Sequence, residues 1–202
     1  MRKAKCSVKK IILVILMLVS FTILLSGCFY PACCVRPIQY DGAYKGKVID
    51  ADTGDPIEGV VILGTWDTVF SGVAGGVSEY YDAKETVTDR NGEFTLPGVG
   101  LRLNIINKLD SVYVLMFKTG YEYVDGPWES LKASFYYKDK IKWEGNKSTI
   151  PLRRLTSEER RKHSSLPSRP SAPTKKMKLM TKEIDRARRE QGLEPLSEGG
   201  ED

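Results

Sequence analysis

The sequence predicts an all-β fold of the sandwich type, and three observations predict it. Short runs rich in Val, Ile, Thr, Tyr and Phe recur from residue 44 to residue 152. Clusters of Gly, Pro, Asn and Asp separate those runs at close intervals, as tight turns require. No strand-like run alternates with an amphipathic helical one, as a parallel α/β sheet would demand.

Each element can be justified in turn. Residues 44–51 (YKGKVIDA) alternate and are rich in β-formers, and residues 52–56 (DTGDP) make a turn in which Gly54 and Pro56 set the backbone. Residues 57–66 (IEGVVILGTW) form a second, more continuous apolar strand. The Gly-rich residues 70–78 (FSGVAGGVS) read as a loop at the top of a long hairpin, and residues 80–88 resume strand character. Asp89-Arg90-Asn91-Gly92 is a tight turn leading to residues 93–96 (EFTL). Residues 99–110 are less regular; 111–118 (SVYVLMFK), 134–138 and 148–152 complete the strands. Val48, Val60, Ile62 and Phe94 are the expected core. Ahead of the domain, residues 29–42 (FYPACCVRPIQYDG) read as an irregular tether with two prolines.

After Leu155 the character changes. Thr156 and Glu159 have the spacing of a capping box, and residues 164–174 (SSLPSRPSAPT) are a Pro/Ser-rich linker. Residues 175–191 suit a short helix with Thr181 as its cap and Gly192 and Pro195 beyond its end. Met177, Met180, Ile184 and Ala187 form a narrow apolar stripe on it. Short isolated helices are marginal in water, so the tail 154–202 is expected to be partly helical, solvated and largely flexible. The competing expectation is a stripe that docks on the domain or on a partner.

The N-terminus carries an address. Arg2, Lys3, Lys5, Lys9 and Lys10 precede an apolar run over residues 11–25, broken only by Ser20 and Thr22. A basic start followed by about 7–15 apolar residues has the shape of a secretory signal. A permanent transmembrane helix usually needs about 20 apolar residues. The run ends in Leu25-Ser26-Gly27-Cys28, which resembles the lipobox of bacterial lipoproteins. The resemblance implies cleavage before Cys28, a thioether bond from its sulfur to diacylglycerol, and acylation of its new amino group (palmitate among the chains). One acyl chain binds a membrane marginally and two or more hold firmly. Phe29 follows the cysteine where Asp would favour inner-membrane retention, which by resemblance points to the outer membrane.

Processing changes what the charge means. The precursor's formal charge of +5 would suit an acidic partner or nucleic acid. Loss of the five basic residues of the signal takes the Lys and Arg total from 31 to 26, level with 26 Asp and Glu. Nucleic acid is therefore not an expected partner. What remains is an acidic domain with a basic tail. Four cysteines make no disulfide framework: Cys6 leaves with the signal, Cys28 is acylated, and only the adjacent Cys33 and Cys34 remain. The domains read as 1–27, a cleaved lipoprotein signal peptide; 28–42, a lipidated tether; 43–153, the sandwich; and 154–202, linker and tail.

Two linked motifs resemble one family. The run from Gly46 to Ile62, with Asp50, Thr53-Gly54, Pro56-Ile57 and Gly59, is similar to the opening of the carboxypeptidase regulatory-like domain. The run Thr86-Val87-Thr88-Asp89-Arg90-Asn91-Gly92-Glu93-Phe94-Thr95-Leu96-Pro97-Gly98 is similar to its second half. The resemblance implies a transthyretin-like sandwich of about seven strands. The spacing between the halves exceeds the compact family pattern because of residues 65–81, where features particular to this chain are expected.

The resemblance brings no catalytic group, since the zinc chemistry of carboxypeptidases belongs to a separate domain. A catalytic zinc commonly takes two or more His among three protein ligands, and His163, in the tail, is the only histidine. No P-loop, dinucleotide fingerprint or CxxC pattern occurs. Asp50, Asp52 and Asp55 cluster as Ca²⁺ ligands do, but the EF-hand spacing is absent and the turn accounts for them. No metal, cofactor or catalytic residue is expected. Trp66, Tyr80, Tyr81, Trp128, Tyr136, Tyr137 and Trp143 are many aromatics for one small domain. Trp66, Tyr80 and Tyr81 are the candidate ligand-binding surface, a platform for sugar rings. The expected role is a non-enzymatic, membrane-anchored binding, scaffold or accessory module of the cell envelope, held in the bilayer by acylated Cys28. Glycan or peptidoglycan binding, a place in an envelope protein complex, and a hydrolase are its rivals.

Overall fold

The computed structural model describes residues 15–17, 38–72, 75–103, 107–133, 140–145, 147–162, 166–168 and 172–196. The chain divides into two units, Met1–Pro37 and Ile38–Asp202. In the first, residues 15–17 are helical and exposed.

Strand-rich runs pair into two open sheets. The first has the order β10 (Lys142–Glu144), β11 (Lys147–Leu152), β2 (Tyr44–Asp50) and β5 (Glu93–Leu96). The second has the order β4 (Gly75–Val87), β3 (Val61–Gly72), β8 (Tyr113–Phe117) and β9 (Val124–Pro127), with β7 (Lys108–Leu109) added to the far end of β3. All pairs are antiparallel except β11 with β2, which run parallel. A separate two-stranded ribbon joins β1 (Ile38–Asp41) to β6 (Gly100–Leu103). The expectation of an all-β sandwich holds at this level. Among the described residues there are eleven strands where about seven are expected, because short strands occupy stretches that read as irregular.

Alternation decides what each strand buries. From the first sheet Val48, Phe94, Leu96, Ile150 and Leu152 face inward; Ile62, Trp66, Val114, Met116 and Val124 of the second sheet meet them. Helix α1 (Trp128–Ala133) closes one side with Trp128 and Leu131. All four expected core residues, Val48, Val60, Ile62 and Phe94, are buried. β3 and β8 are apolar on both faces, and the reason lies on the outer side of the second sheet. Val61, Leu63, Leu115 and Phe117 point outward there, yet each is at most 5 % exposed.

The C-terminal tail covers them, which corrects the expectation of a solvated, flexible segment. A 3₁₀ turn (Thr174–Lys176) leads into helix α3 (Lys178–Glu190). Its stripe of Met177, Met180, Ile184 and Ala187 is buried against Val61, Leu63, Leu115 and Phe117. Polar contacts fix the helix as well. The Glu85 carboxylate of β4 accepts from the backbone N–H groups of Leu179 (3.0 Å) and Met180 (2.7 Å), capping the helix from outside its own sequence. Thr181 is not the cap: it lies one turn inside and its hydroxyl donates to the Met177 carbonyl (2.8 Å). Buried Glu183 accepts from Thr119 N–H at 3.0 Å, and Gln191 donates to the Arg160 carbonyl at 2.7 Å. The marginal helix is stable because it buries a face, the usual source of helical stability in proteins.

The capping box forms as its spacing requires: helix α2 (Ser157–Arg160) begins with Glu159 N–H donating to Thr156 Oγ1 (3.2 Å) and Thr156 N–H donating to Glu159 (2.9 Å). The Arg153 guanidinium, then the Thr156 donors, pull the Glu159 carboxyl down to about 2.

The Gly-rich stretch 70–78 does top a long hairpin, as expected, but residues 70–72 and 75–78 are strand and not loop. β3 and β4 remain paired to the register Gly72↔Gly75, with Phe70 opposite Val77 and a bulge between Trp66 and Asp67. Ladder hydrogen bonds need only the backbone, so glycines weaken a hairpin without ending it. The expected strand 134–138 lies outside the described residues.

Candidate functional site

The two motif halves are brought together by backbone chemistry. The Thr88 hydroxyl, buried, accepts from Val60 N–H (2.8 Å) and donates to the Ile57 carbonyl (2.7 Å), tying one half to the other. Asp89 Oδ1 accepts from Asn91 and Glu93 N–H, each at 2.9 Å, and so holds the turn. Gly92 has φ +72° and a Cβ there would stand 2.4 Å from the Val48 carbonyl, so glycine is required on both counts.

Asp50, only 2 % exposed, ends β2. Its Oδ1 accepts from Asp52 N–H (3.0 Å) and Thr53 N–H (3.3 Å). Its Oδ2 accepts from Tyr121 Oη (3.3 Å) and Arg154 Nε (3.2 Å). Four donors thus occupy the two oxygens, and Asp52 and Asp55 are exposed on the turn beyond. Among the described residues no three His, Cys, Asp or Glu side chains are grouped to share a metal ion.

The Asp52 N–H first, then Thr53 and Arg154, hold the Asp50 carboxyl below its ordinary value against the opposing effect of burial. A carboxyl lowered by folding contributes stability that is complete above its unfolded pKa of about 4 and is lost as pH falls through its native value. Asp50→Asn should therefore flatten the loss of stability below about pH 4. At neutral pH it should cost about 1–3 kcal/mol, because its amide turns donors towards donors. Urea titrations of both proteins across that range check the slope and the offset.

The three aromatics expected to form a surface platform are separated. Trp66 is fully buried, 6.3 Å from the Tyr44 ring, and offers no face to a ligand. Tyr80 is half-buried against the cluster under helix α3, and its hydroxyl is buried. Tyr81 is exposed, and its ring is stacked by the Arg102 guanidinium at 4.3 Å. Alternation along β4 separates Tyr80 from its neighbour, and Trp66 points to the inter-sheet core. Trp128 and Trp143 also belong to the interior, in edge-to-face contact at 5.2 Å. Tyr136 and Tyr137 lie outside the described residues.

A cleft of about 290 Å³ lies beside the ribbon, lined among others by Tyr40, Asp41, Tyr44, Lys108, Asp110, Trp128 and Glu129. Tyr44 donates to Asp41 Oδ1, and the other Asp41 oxygen accepts from Val99 N–H at 2.9 Å. Asp41 is thereby committed to the fold. Burial, then the Asp41 carboxylate, push the Tyr44 phenol far above its usual range, so it stays protonated. The cleft combines an aromatic wall with charged side chains of both signs, Lys108 beside Asp110 and Glu129. A wider groove of about 420 Å³ over β2, β5 and β11 pairs Lys47 with Glu93 and Lys147 with Glu144, a solvated face of compensating charges.

Sequence reasoning missed the ribbon and the cleft beside it. The available signal was alternation in two short pieces, Ile38-Gln39-Tyr40 and Leu101-Arg102-Leu103. Cys28 and its box, Leu25, Ser26 and Gly27, lie outside the described residues, as do Cys33, Cys34 and His163. Among the described residues no helix is long and apolar enough to cross a membrane.

No family model matches the chain, and no curated protein matches it. Among solved structures it is similar to 3-chlorocatechol 1,2-dioxygenase from Rhodococcus opacus 1CP, with 15% identity over 57% of this chain and 61% of that one, at a TM-score of 0.31. It is similar as well to a 9R-lipoxygenase from Cyanothece PCC8801, with 15% identity over 66% of this chain and 18% of that one, at a TM-score of 0.23. The chain thus spans less than two thirds of either structure.

Proposed function

We propose that the chain is a lipoprotein precursor whose sandwich is displayed from acylated Cys28 as a non-catalytic binding, scaffold or accessory module of the cell envelope. The observation that carries this reading is the box Leu25-Ser26-Gly27-Cys28 at the end of a short apolar run with a basic start. Small residues before the cysteine fit a narrow peptidase site, and the thiol is the nucleophile for lipid transfer. Phe29 favours the outer membrane.

The transthyretin-like, carboxypeptidase regulatory-like assignment belongs to the same proposal. What supports it is the interlocking of the two motif halves through Thr88 and Gly92, with Val48, Ile62 and Phe94 in one core. A non-catalytic role is supported by the occupation of the motif's polar residues: Asp50, Thr88 and Asp89 all hold turns or strands.

Mass spectrometry of the N-terminal peptide from membrane-extracted protein tests the reading. The expected result is a chain beginning at Cys28 and carrying acyl groups. Cys28→Ser should leave the unprocessed precursor, longer by residues 1–27. A mature chain that starts elsewhere, or an unmodified Cys28, would refute it.

A further inference from the structure

The ribbon of β1 and β6 has two faces of opposite character. Its inner face is tied to the sandwich. Gln39 donates to the Leu109 carbonyl at 3.0 Å and accepts from Leu109 N–H at 3.1 Å, Asp41 receives Val99 N–H, and Arg102 stacks on Tyr81. Its outer face is formed by Ile38, Tyr40, Leu101 and Leu103. The register sets Ile38 opposite Leu103 and Tyr40 opposite Leu101, so the four side chains make one continuous patch. They are 60, 75, 71 and 70 % exposed. Four large apolar side chains on one face of a solvent-exposed ribbon are uncommon and mark a surface that something covers.

We propose that this face rests on the lipid bilayer to which the chain is anchored, with the three aliphatic side chains in the headgroup and acyl boundary and Tyr40 at its polar edge. The inference depends on the acylation of Cys28 proposed above. Three observations select lipid as the occupant. Ile38 follows Cys28 by ten residues, so even an extended chain keeps the ribbon within about 35 Å of the acylated residue. The patch combines aliphatic side chains with a tyrosine and carries no charge, the composition that settles at a membrane interface. The ribbon also adjoins the start of β2, at the end of the sandwich opposite the turn at Asp52 and Asp55, so resting on it leaves that far end facing away from the membrane. The cleft beside the ribbon is lined by Asp110, Glu129 and Lys108, with no basic cluster to draw it to anionic lipid, so the contact is apolar in origin.

The test uses the full acylated protein in a Cys33→Ser/Cys34→Ser background, reconstituted in phosphatidylcholine and phosphatidylethanolamine vesicles. A nitroxide is attached at Leu101→Cys, at Leu103→Cys, or, as the far-end control, at Asp52→Cys. Collision with dissolved oxygen is compared with collision with a water-soluble nickel chelate. The expected ratio at positions 101 and 103 exceeds that at 52 by about fivefold or more, as burial about 5–10 Å into the interface requires. Acylated protein whose ribbon labels meet nickel as freely as the control overturns the docking proposal and leaves the anchor intact. Dipolar broadening between labels that disappears on dilution with unlabelled protein assigns the patch to a second copy and also overturns it. Absence of acyl chains on Cys28, read from the same sample by mass, overturns the anchor and this inference together.

Discussion

Trp66→Ala should lower the stability of the sandwich by about 3–5 kcal/mol, the usual range for deleting a buried large aromatic. A domain of this size is stable by about 5–15 kcal/mol in total, so the substitution removes a large part of it. Trp66 is fully buried where both sheets and Tyr44 converge. It stands beside Gly64, whose missing side chain leaves room for the indole: a Cβ there would lie 3.0 Å from the ring. Leu96 and Val112 pack against the same glycine. Urea unfolding followed by the fluorescence of Trp128 and Trp143 measures the change. Tyr81→Ala is the informative contrast. It removes an exposed ring and one stacking contact with Arg102, worth about 0.5–1 kcal/mol. A ligand platform made of both residues would show comparable losses of binding with little loss of fold. Equal stability of Trp66→Ala and the wild type would contradict the buried placement.

The second large effect is expected from Met180→Ala with Ile184→Ala. Each is at most 2 % exposed beneath helix α3, and each truncation costs about 2–5 kcal/mol in a packed interior. The two lie one helical turn apart and share Leu63 and Phe117 as cluster partners, so their costs will not add fully. The helix cannot survive alone, since a marginal segment forms only where it buries its stripe. Its release would expose Val61, Leu63, Leu115 and Phe117 across the second sheet, an apolar patch that invites association. The double variant should therefore elute as larger species in gel filtration and lose the slow amide exchange of residues 178–190. A monomeric, fully protected double variant would show that the helix is held by something else. Glu85→Ala is the milder companion: it removes the acceptor for Leu179 and Met180 N–H and should cost about 0.5–2 kcal/mol.

These cases show which parts of the fold were legible in the sequence. The turn at residues 52–56, the Asp89–Gly92 turn and the inward residues Val48, Val60, Ile62 and Phe94 follow from local chemistry, and turn residues and period-two alternation report it directly. The continuous apolar run of β3 was legible as burial but not as burial on two sides. Its outward half, Val61 and Leu63, is covered by a helix more than a hundred residues later. No local pattern announces that partner; the stripe in residues 177–187 fits solvent or a dock equally well. The cap of that helix comes from Glu85, on another element, and so escapes any search for a capping residue beside it. Trp66 reads as an exposed aromatic of an unusual insertion, yet its position on β3, in phase with Ile62, directs it inward. The ribbon was missed because strands of four residues, flanked by prolines or irregular chain, give too few alternations to stand out.

The parallel pairing of β11 with β2 has a consequence for the order in which the molecule can be completed. Lys45 finds Lys147 as its neighbour, and Val48 finds Ile150, across about a hundred residues of intervening chain. β5 can join the other side of β2 much sooner, after the Asp89 turn. During synthesis from the N-terminus, β2 therefore waits with one edge open until nearly the whole domain has been made. Long-range pairings of this kind set the pace of folding, since loop closure must precede any gain from contact. The outward lysines of β2, Lys45 and Lys47, sit on that waiting edge. Lysine on an open strand edge discourages a second chain from taking the place reserved for β11. Once β5 is in place Lys47 faces Glu93, so Lys45, opposite Thr95, is the lysine with no counter-charge across from it on β5 until β11 arrives.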